Sequence, residues 1–321
     1  MEATQVIEAA RWERPARGPW FQAWSRLRRK KVAFLSLITI IVIYGAGILA
    51  PWVAPYSYSQ QDLDASLKGP TWEHPFGTDR LGRDLLSRII WGARTNVIVT
   101  FASVFTGAIF AGIALGGMAG YFGRWWDTII MRVGDMFLAF PGLLLVILIA
   151  ATVKPRVVAL VRDFESLSGI SGLVQSGAAD YFVVFGALAL FSWVGMARLV
   201  RGQVLSLKET QYVDAAQAMG ASHWRIIFVH ILPNALSPVI VTVSMGLGAA
   251  AGSEVVLSWL GVGVQPPNPS WGAMIFENQS LRWIRLYPHL ILIPSAVVGM
   301  VIFAFNLLGD GLNDALNPRT R

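Results

Sequence analysis

The chain has 321 residues, of which 55% are hydrophobic and only 14% are charged; because about a quarter of the residues of soluble domains are charged, this composition predicts a membrane protein. The absence of cysteine from the sequence excludes disulfides, thiolate catalysis and cysteine-ligated zinc. The formal net charge is +7, but Lys and Arg are not gathered into one stripe with aromatic residues, so the sequence does not favour nucleic-acid binding.

Six apolar stretches follow one another along the chain, each close to the roughly 20 residues that a helix needs to cross a bilayer. We therefore predict an all-α membrane protein with six transmembrane helices. The predicted spans cover residues 32–53, 95–119, 136–153, 181–197, 231–253 and 286–308. Residues 95–310 form the predicted core domain. Within it, residues 154–180 mix charges with Ser and Gly and predict an external excursion with one short helix.

A basic tail, residues 1–31, precedes the first span. Because short basic segments stay in the cytoplasm, it predicts a cytoplasmic N-terminus, and six spans return the C-terminal tail, residues 311–321, to the same side. The tail supplies most of this evidence, since the predicted external segment 54–94 also carries five Lys and Arg residues. The basic residues of the tail are Arg11, Arg14, Arg17, Arg26, Arg28, Arg29, Lys30 and Lys31.

The external segment 54–94 contains a predicted amphipathic helix. Asp79 can cap this helix, and the apolar residues between positions 81 and 90 share one of its faces, as in a helix that lies on a membrane surface. The pattern favours a solvated face that covers the bundle. The alternative is direct contact with a soluble external partner through Asp79, Arg80, Arg83 and Asp84.

Glu254 is the acidic residue placed deepest in apolar sequence. A charge inside a membrane is costly, so such a residue is a candidate for function. Two interpretations stay open. The carboxylate either faces a pathway for a polar substrate, or it lies near the outer end of the fifth span and is hydrogen-bonded to backbone amides or reaches the interface, and the second interpretation is favoured.

A polar stretch, YVDAAQAMGASHWRIIFVHILPN at residues 212–234, separates the fourth and fifth spans. It predicts two short helices joined at Gly220, which supplies the left-handed position, with Ser222 as the cap of the second helix. Alanines make the first helix slim, and Tyr212 and Asp214 suit it for entry into a groove on another protein. The alternative is a cap that merely joins two spans.

This stretch resembles the EAA loop of the inner-membrane permease subunits of bacterial ABC importers. The pattern falls on Asp214, Ala215, Ala216, Gly220, Leu232 and Pro233. Asp214 replaces the usual Glu and His230 stands where the general pattern has Ile; both departures resemble the dipeptide, oligopeptide and nickel branch. Residues 74–88, 120–141, 197–209 and 257–272 are also similar to that branch, whereas the excursion 154–180 is longer than the branch usually has.

The resemblance implies the type I ABC importer permease fold in the inner membrane of a bacterium, as the second permease of a pair. It further implies that the loop 204–234 couples to a cytoplasmic ATPase through Tyr212 and the motif residues. The implied partners are a second homologous permease, two cytoplasmic ATPase subunits, an external solute-binding protein and membrane lipid. ATP and Mg would be bound by the ATPase subunits, with no cofactor and no metal in this chain.

The residues themselves agree that hydrolysis lies elsewhere. None of the five lysines is preceded by Gly, so the phosphate loop G-x-x-x-x-G-K-[ST] is absent from the sequence and we expect a transport subunit rather than an enzyme. The main alternative is a stand-alone transporter coupled to an ion gradient. For the substrate, the resemblance favours di- or oligopeptides, with nickel chelates, glutathione and oligosaccharides as alternatives.

Overall fold

The computed structural model describes residues 19–174 and 176–316. Three basic residues of the N-terminal tail, Arg11, Arg14 and Arg17, and residues 317–321 of the C-terminal tail lie outside the described residues. Within the described part of the chain the secondary structure is helical, with no β-strand. This agrees with the predicted all-α class.

The helices alternate between long apolar rods and short connectors. In chain order they are α1 Pro19–Arg29, α2 Lys31–Ile48, α3 Ala50–Val53, α4 Leu85–Phe122, α5 Arg124–Leu138, α6 Gly142–Ser168, α7 Ala178–Leu207, α8 Gln211–Ala218, α9 His223–Trp259, α10 Trp271–Glu277, α11 Leu281–Leu286 and α12 His289–Leu316, with a short 3-10 turn at Leu63–Ala65. Six of them, namely α2, α4, α6, α7, α9 and α12, are long and apolar enough to cross a membrane. The six predicted spans are therefore confirmed.

The predicted surface helix of segment 54–94 is wrong. Residues 79–84 form a loop, and α4 begins at Leu85 with Asp84 as its cap, whose Oδ2 accepts a hydrogen bond from the Ser87 N–H at 2.7 Å. Residues 85–94 are the first turns of the second membrane-spanning helix, and Leu85 and Arg88 are buried. The prediction was wrong because Arg83 and Arg88 form ion pairs with Asp79 and Glu277 within the fold and are not directed to solvent.

The predicted excursion 154–180 is also corrected. Residues 154–168 continue α6 without interruption, with Pro155 inside the helix. Gly169, at φ +71°, ends α6, so the connection to α7 is short. Lys154, in the middle of α6, forms an ion pair of 2.9 Å with Asp180 in the first turn of α7. A charge that suggested an exposed loop thus pairs the middle of one helix with the start of the next.

A stripe of glycines holds α4 against α7. The stripe consists of Gly107, Gly112, Gly116 and Gly120. A Cβ added at any of them would lie between 2.0 and 2.8 Å from an atom of α7, so the backbones approach as small residues allow in membrane bundles. The first spacing is five residues because residues Val104–Gly112 form a π-helical segment, in which hydrogen bonds run from i to i+5. The π segment keeps the stripe on one face.

The alternation of six spans gives the bundle two ends. The coupling face carries residues 208–222 together with the start of α2 and the end of α12, where Lys30 pairs with Asp314. The far face carries the connections 49–84, 169–177 and 260–288.

Candidate functional site

The coupling loop, residues 204–234, has the predicted elbow. Gly220 lies at φ +79°, and the Ala221 N–H donates to the Ala216 carbonyl at 3.0 Å, which closes the end of α8 in the manner of a left-handed cap. Ser222 Oγ accepts from the Arg225 N–H at 3.4 Å and caps the next helix. That next helix differs from the prediction. It is not short, because it continues through the membrane as α9, so the elbow is attached directly to a span.

The two faces of α8 have different roles. Val213 and Ala216 are buried and pack in one apolar cluster with residues of α7 and α9, including Val204 and Ile226. Tyr212, Asp214, Ala215 and Met219 are exposed. Ala216 therefore anchors the helix to the bundle, while the other residues form a surface open to a partner.

The loop also contacts the end of α4. Tyr121 Oη is 2.8 Å from His223 Nδ1, and the ring of Phe122 meets the ring of Trp224 edge-on at 6.3 Å. Lys208 Nζ donates to the Gly120 carbonyl at 3.5 Å. The loop is therefore held by α4, α7 and α9 together.

Leu232 and Pro233 lie away from the elbow. They begin the regular α-helical part of α9, directly after a π-helical segment at Ile226–Ile231. Pro233 has no backbone N–H to donate, and it falls where the hydrogen-bond pattern changes. Leu232 lines an apolar groove of about 420 Å³ with Trp224, Phe228 and Phe110. The sequence motif therefore combines an exposed helix with residues that shape the base of the following span.

Glu254 is fully buried and belongs to a hydrogen-bonded network. Its Oε2 accepts from Asn96 Nδ2 at 2.7 Å and its Oε1 accepts from Ser258 Oγ at 2.8 Å. The Oδ1 of Asn96 accepts in turn from Tyr44 Oη at 2.7 Å. Its partners are side chains and not the backbone amides of the favoured interpretation, and the carboxylate is enclosed within the fold. Asn96 and Tyr44 were missed, because a single polar residue inside an apolar run does not show which helix it faces.

Of the predicted external contact residues, which belong to an ionic cluster on the far face, Asp79 and Asp84 are buried and Arg83 is half-buried, whereas Arg80 is exposed. Asp79 and Asp84 are only 2% and 3% exposed. Asp79 Oδ2 accepts from Arg83 Nε at 2.6 Å and from Arg88 Nη1 at 2.5 Å, and both arginines also reach the Glu277 carboxylate at 3.1 Å. Asp79 and Asp84 are therefore corrected from partner contacts to structural residues.

Arg80 and Asp84 complete this cluster. Arg80 Nη2 donates to the Glu277 carbonyl at 2.9 Å and its guanidinium lies over the Trp283 ring. Asp84, besides capping α4, is 3.0 Å from His74 Nδ1. The cluster fastens the loop before α4 to α10 and α11, which are separated from it by almost two hundred residues along the chain.

Comparison with known families agrees with this architecture. Residues 112–321, more than half of the chain, match the family described as binding-protein-dependent transport system inner membrane component. Residues 18–70 match the N-terminal TM domain of oligopeptide transport permease C. The chain belongs to the ABC importer permeases of the dipeptide and oligopeptide branch. The type I permease fold and the multi-pass location in a bacterial inner membrane, both expected from the sequence, are thereby confirmed.

Similar proteins match this permease over almost its whole length. The dipeptide transport system permease protein DppC of Alkalihalophilus pseudofirmus is 39% identical over 303 residues, covering 94% of this chain and 91% of the relative. The glutathione transport system permease protein GsiD of Pectobacterium atrosepticum is 38% identical over 310 residues, covering 96% and 94%. GsiD of Escherichia coli is 38% identical over 306 residues, covering 95% and 92%. The family description names a binding protein, so this permease is the membrane component of a larger transport system.

Proposed function

We propose that this permease forms half of the pathway of an ATP-driven importer for di- or oligopeptides and receives the motion of a cytoplasmic ATPase through α8. The observation that carries the proposal is the division of α8 into two faces. One face is buried against α7 and α9, and the other presents Tyr212, Asp214 and Ala215. A short helix fixed on one side and open on the other is suited to transmit a push.

The elbow makes this transmission rigid. The backbone at Gly220 and the cap at Ser222 connect α8 to α9 without a flexible segment, and the contacts of Tyr121 with His223 bring in α4. A force on the exposed face of α8 therefore moves helices and not merely a loop. A loop that only joined two spans would need none of these contacts.

The proposed complex contains this chain, a second homologous permease, two cytoplasmic ATPase subunits and an external solute-binding protein. ATP and Mg are bound by the ATPase subunits, in line with the absence of a phosphate-loop lysine from this sequence. The coupling face is cytoplasmic in this proposal, because Arg28, Arg29, Lys30 and Lys31 cluster where α1 meets α2 and basic residues flank spans on that side. The far face then meets the binding protein.

The names of the relatives support a peptide substrate. One relative is a dipeptide permease and the others are glutathione permeases, and glutathione is itself a tripeptide. In addition, the described residues contain no cluster of three or more His, Cys, Asp or Glu side chains placed to bind a bare metal ion. Both points favour a small peptide carried by the binding protein.

The proposal is tested by uptake of a labelled dipeptide into proteoliposomes that contain the complete complex. We expect uptake to require ATP and the binding protein. The variant Ala215→Trp places a bulky ring on the exposed face of α8. It should abolish both ATPase capture, meaning copurification of the ATPase subunits with the permease, and uptake. Ala159→Trp, a matched change at an exposed alanine near the far end of α6, should leave ATPase capture unchanged. Uptake driven by an ion gradient without ATP would contradict the proposal.

A further inference from the structure

A charged groove lies between α5 and α7, outside the coupling loop. Arg201 Nη2 donates to Asp127 Oδ2 at 2.7 Å, and Arg198 Nη2 donates to Asp135 Oδ1 at 2.6 Å. The groove has a volume of about 480 Å³ and is also lined by Arg132. Pockets for small molecules typically have volumes of about 300–1,000 Å³, so a small peptide fits this size class.

The position and exposure of these charged side chains indicate whether the groove faces lipid or water. The side chains of Arg198 and Asp135 are 47% and 53% exposed. Arg201 lies six residues before the end of α7, about 9 Å along the axis at 1.5 Å per residue, so the groove opens in the half near the coupling face. Charges that face lipid are costly, and the groove therefore faces water or a polar partner.

The remaining surface of α5 supports an aqueous groove. The exposed residues on its other side include Trp125, Ile129, Val133 and Met136, which suit lipid or another subunit. Gly134 packs closely on Val194 of α7. The helix thus separates an apolar exposed face from one polar stripe, and that stripe is directed along α7.

The charge balance of the groove indicates the kind of ligand. It combines three guanidinium groups with two carboxylates, and Arg132 has no ion-pair partner among the described residues. Three positive against two negative groups favour a carboxylate on the ligand, while Asp127 and Asp135 offer oxygens that can accept hydrogen bonds from an ammonium group. A peptide at neutral pH carries both a carboxylate and an ammonium group, and it can pair with an arginine and an aspartate at the same time.

We propose that this charged groove is a section of the substrate pathway in which Arg132 receives the carboxylate of a peptide while Asp135 or Asp127 faces its ammonium group. The inference rests on the proposed function, since it assigns a passage site to the same transport. The paired arginines hold the aspartates in place when no peptide is present. Arg132 is the group left available for the ligand.

Thiol labelling tests whether the groove is an aqueous passage. The chain has no cysteine, so a single thiol reports one position. Thr128 lines the groove, whereas its neighbour Ile129 is exposed on the apolar side. In the complete complex, we expect a charged methanethiosulfonate reagent to modify the Thr128→Cys variant at least tenfold faster than Ile129→Cys. Saturating dipeptide should slow only the Thr128→Cys reaction. Equal rates, or protection by phospholipid vesicles and not by dipeptide, would overturn the inference.

A second variant tests the role of Arg132. Arg132→Gln should lower uptake of a free dipeptide at least fivefold relative to wild type and leave uptake of the same dipeptide with an amidated C-terminus unchanged. Arg124→Gln, at an exposed arginine of the same helix outside the groove, should affect neither. Equal losses for both peptides would show a structural role and overturn the inference. Uptake by the wild-type complex in the same preparation tests the proposed function separately.

Discussion

Replacement of Gly116 by alanine is expected to loosen the packing of α4 against α7. The added Cβ would lie 2.5 Å from the carbonyl oxygen and 2.8 Å from the Cα of Ala197. Both atoms belong to backbone, which cannot rotate away as a side chain can, so the two helices must separate. Gly117, the next residue, has no atom within 4 Å of an added Cβ and provides the matched control Gly117→Ala.

The expected magnitudes follow from two opposing effects. Overpacking a tight contact lowers the free energy of unfolding by about 1–3 kcal/mol, and the backbone contacts place Gly116→Ala near the upper end of this range. The higher helix propensity of alanine raises the free energy of unfolding by about 1 kcal/mol. The net loss is about 2 kcal/mol. Gly117→Ala gains only the propensity term, so the two variants should differ by about 3 kcal/mol, or roughly 6–12 °C in Tm at about 2–4 °C per kcal/mol.

The assay is thermal unfolding of the purified permease in detergent, followed by tryptophan fluorescence. The chain offers 13 tryptophans as reporters. We expect Gly117→Ala to melt at or slightly above the wild-type temperature and Gly116→Ala clearly below it. If the two variants melted together, the glycine stripe would not be the contact that holds α4 to α7.

Three further predictions concern the elbow and the buried polar groups. Gly220→Val should lower the free energy of unfolding by about 1–2 kcal/mol through its left-handed backbone alone, since no atom lies within 4 Å of an added Cβ. It should also uncouple ATP hydrolysis from uptake, whereas the control Gly202→Ala should leave both intact. Normal uptake with normal assembly would contradict the coupling role. Glu254→Gln should keep near-wild-type stability and uptake. Glu254→Ala leaves Asn96 Nδ2 with the Ala251 carbonyl as its remaining acceptor and opens a cavity, and it should lower the free energy of unfolding by about 2–4 kcal/mol. A selective loss of uptake in Glu254→Gln would instead favour a pathway role. Asp79→Ala removes the carboxylate that lies between the half-buried Arg83 and the buried Arg88. It should destabilise the permease by about 3–5 kcal/mol in the same melting assay. An unchanged Tm would show that the far-face cluster adds no stability.

Much of the fold could be predicted because apolar runs and turn residues act locally. Each of the six spans is a continuous apolar stretch, and Gly220 and Ser222 indicate an elbow by conformation and capping alone. The family motif added which surface of the hairpin matters. Such features depend on residues close together in the chain.

The errors came from partners far apart in the chain. Arg83 and Arg88 suggested a surface helix, but the carboxylate of Glu277, nearly two hundred residues away, neutralises them inside the fold. Lys154 suggested an external loop, whereas it lies inside α6 and pairs with Asp180 in the first turn of α7. A charge in a sequence does not reveal whether a distant opposite charge will meet it.

The charged groove could not be predicted for the same reason. The polar stripe of α5 is visible as Asp127, Arg132 and Asp135 at helical spacing. Its meeting with Arg198 and Arg201 of α7 depends on the tertiary packing of Gly134 against Val194. The π-helical segments escaped prediction as well, because their sequences are as apolar as ordinary spans.

The most direct test of the coupling account is to purify the tagged chain from native membranes in mild detergent and identify the proteins that accompany it by mass spectrometry. The account predicts two ATPase chains and a second six-span permease with the native loop. It predicts loss of the ATPase chains, but not of the second permease, when residues 214–220 are replaced by a Gly/Ser linker. A chain that purifies alone or as a homo-oligomer, and still moves solute on an ion gradient, would contradict it.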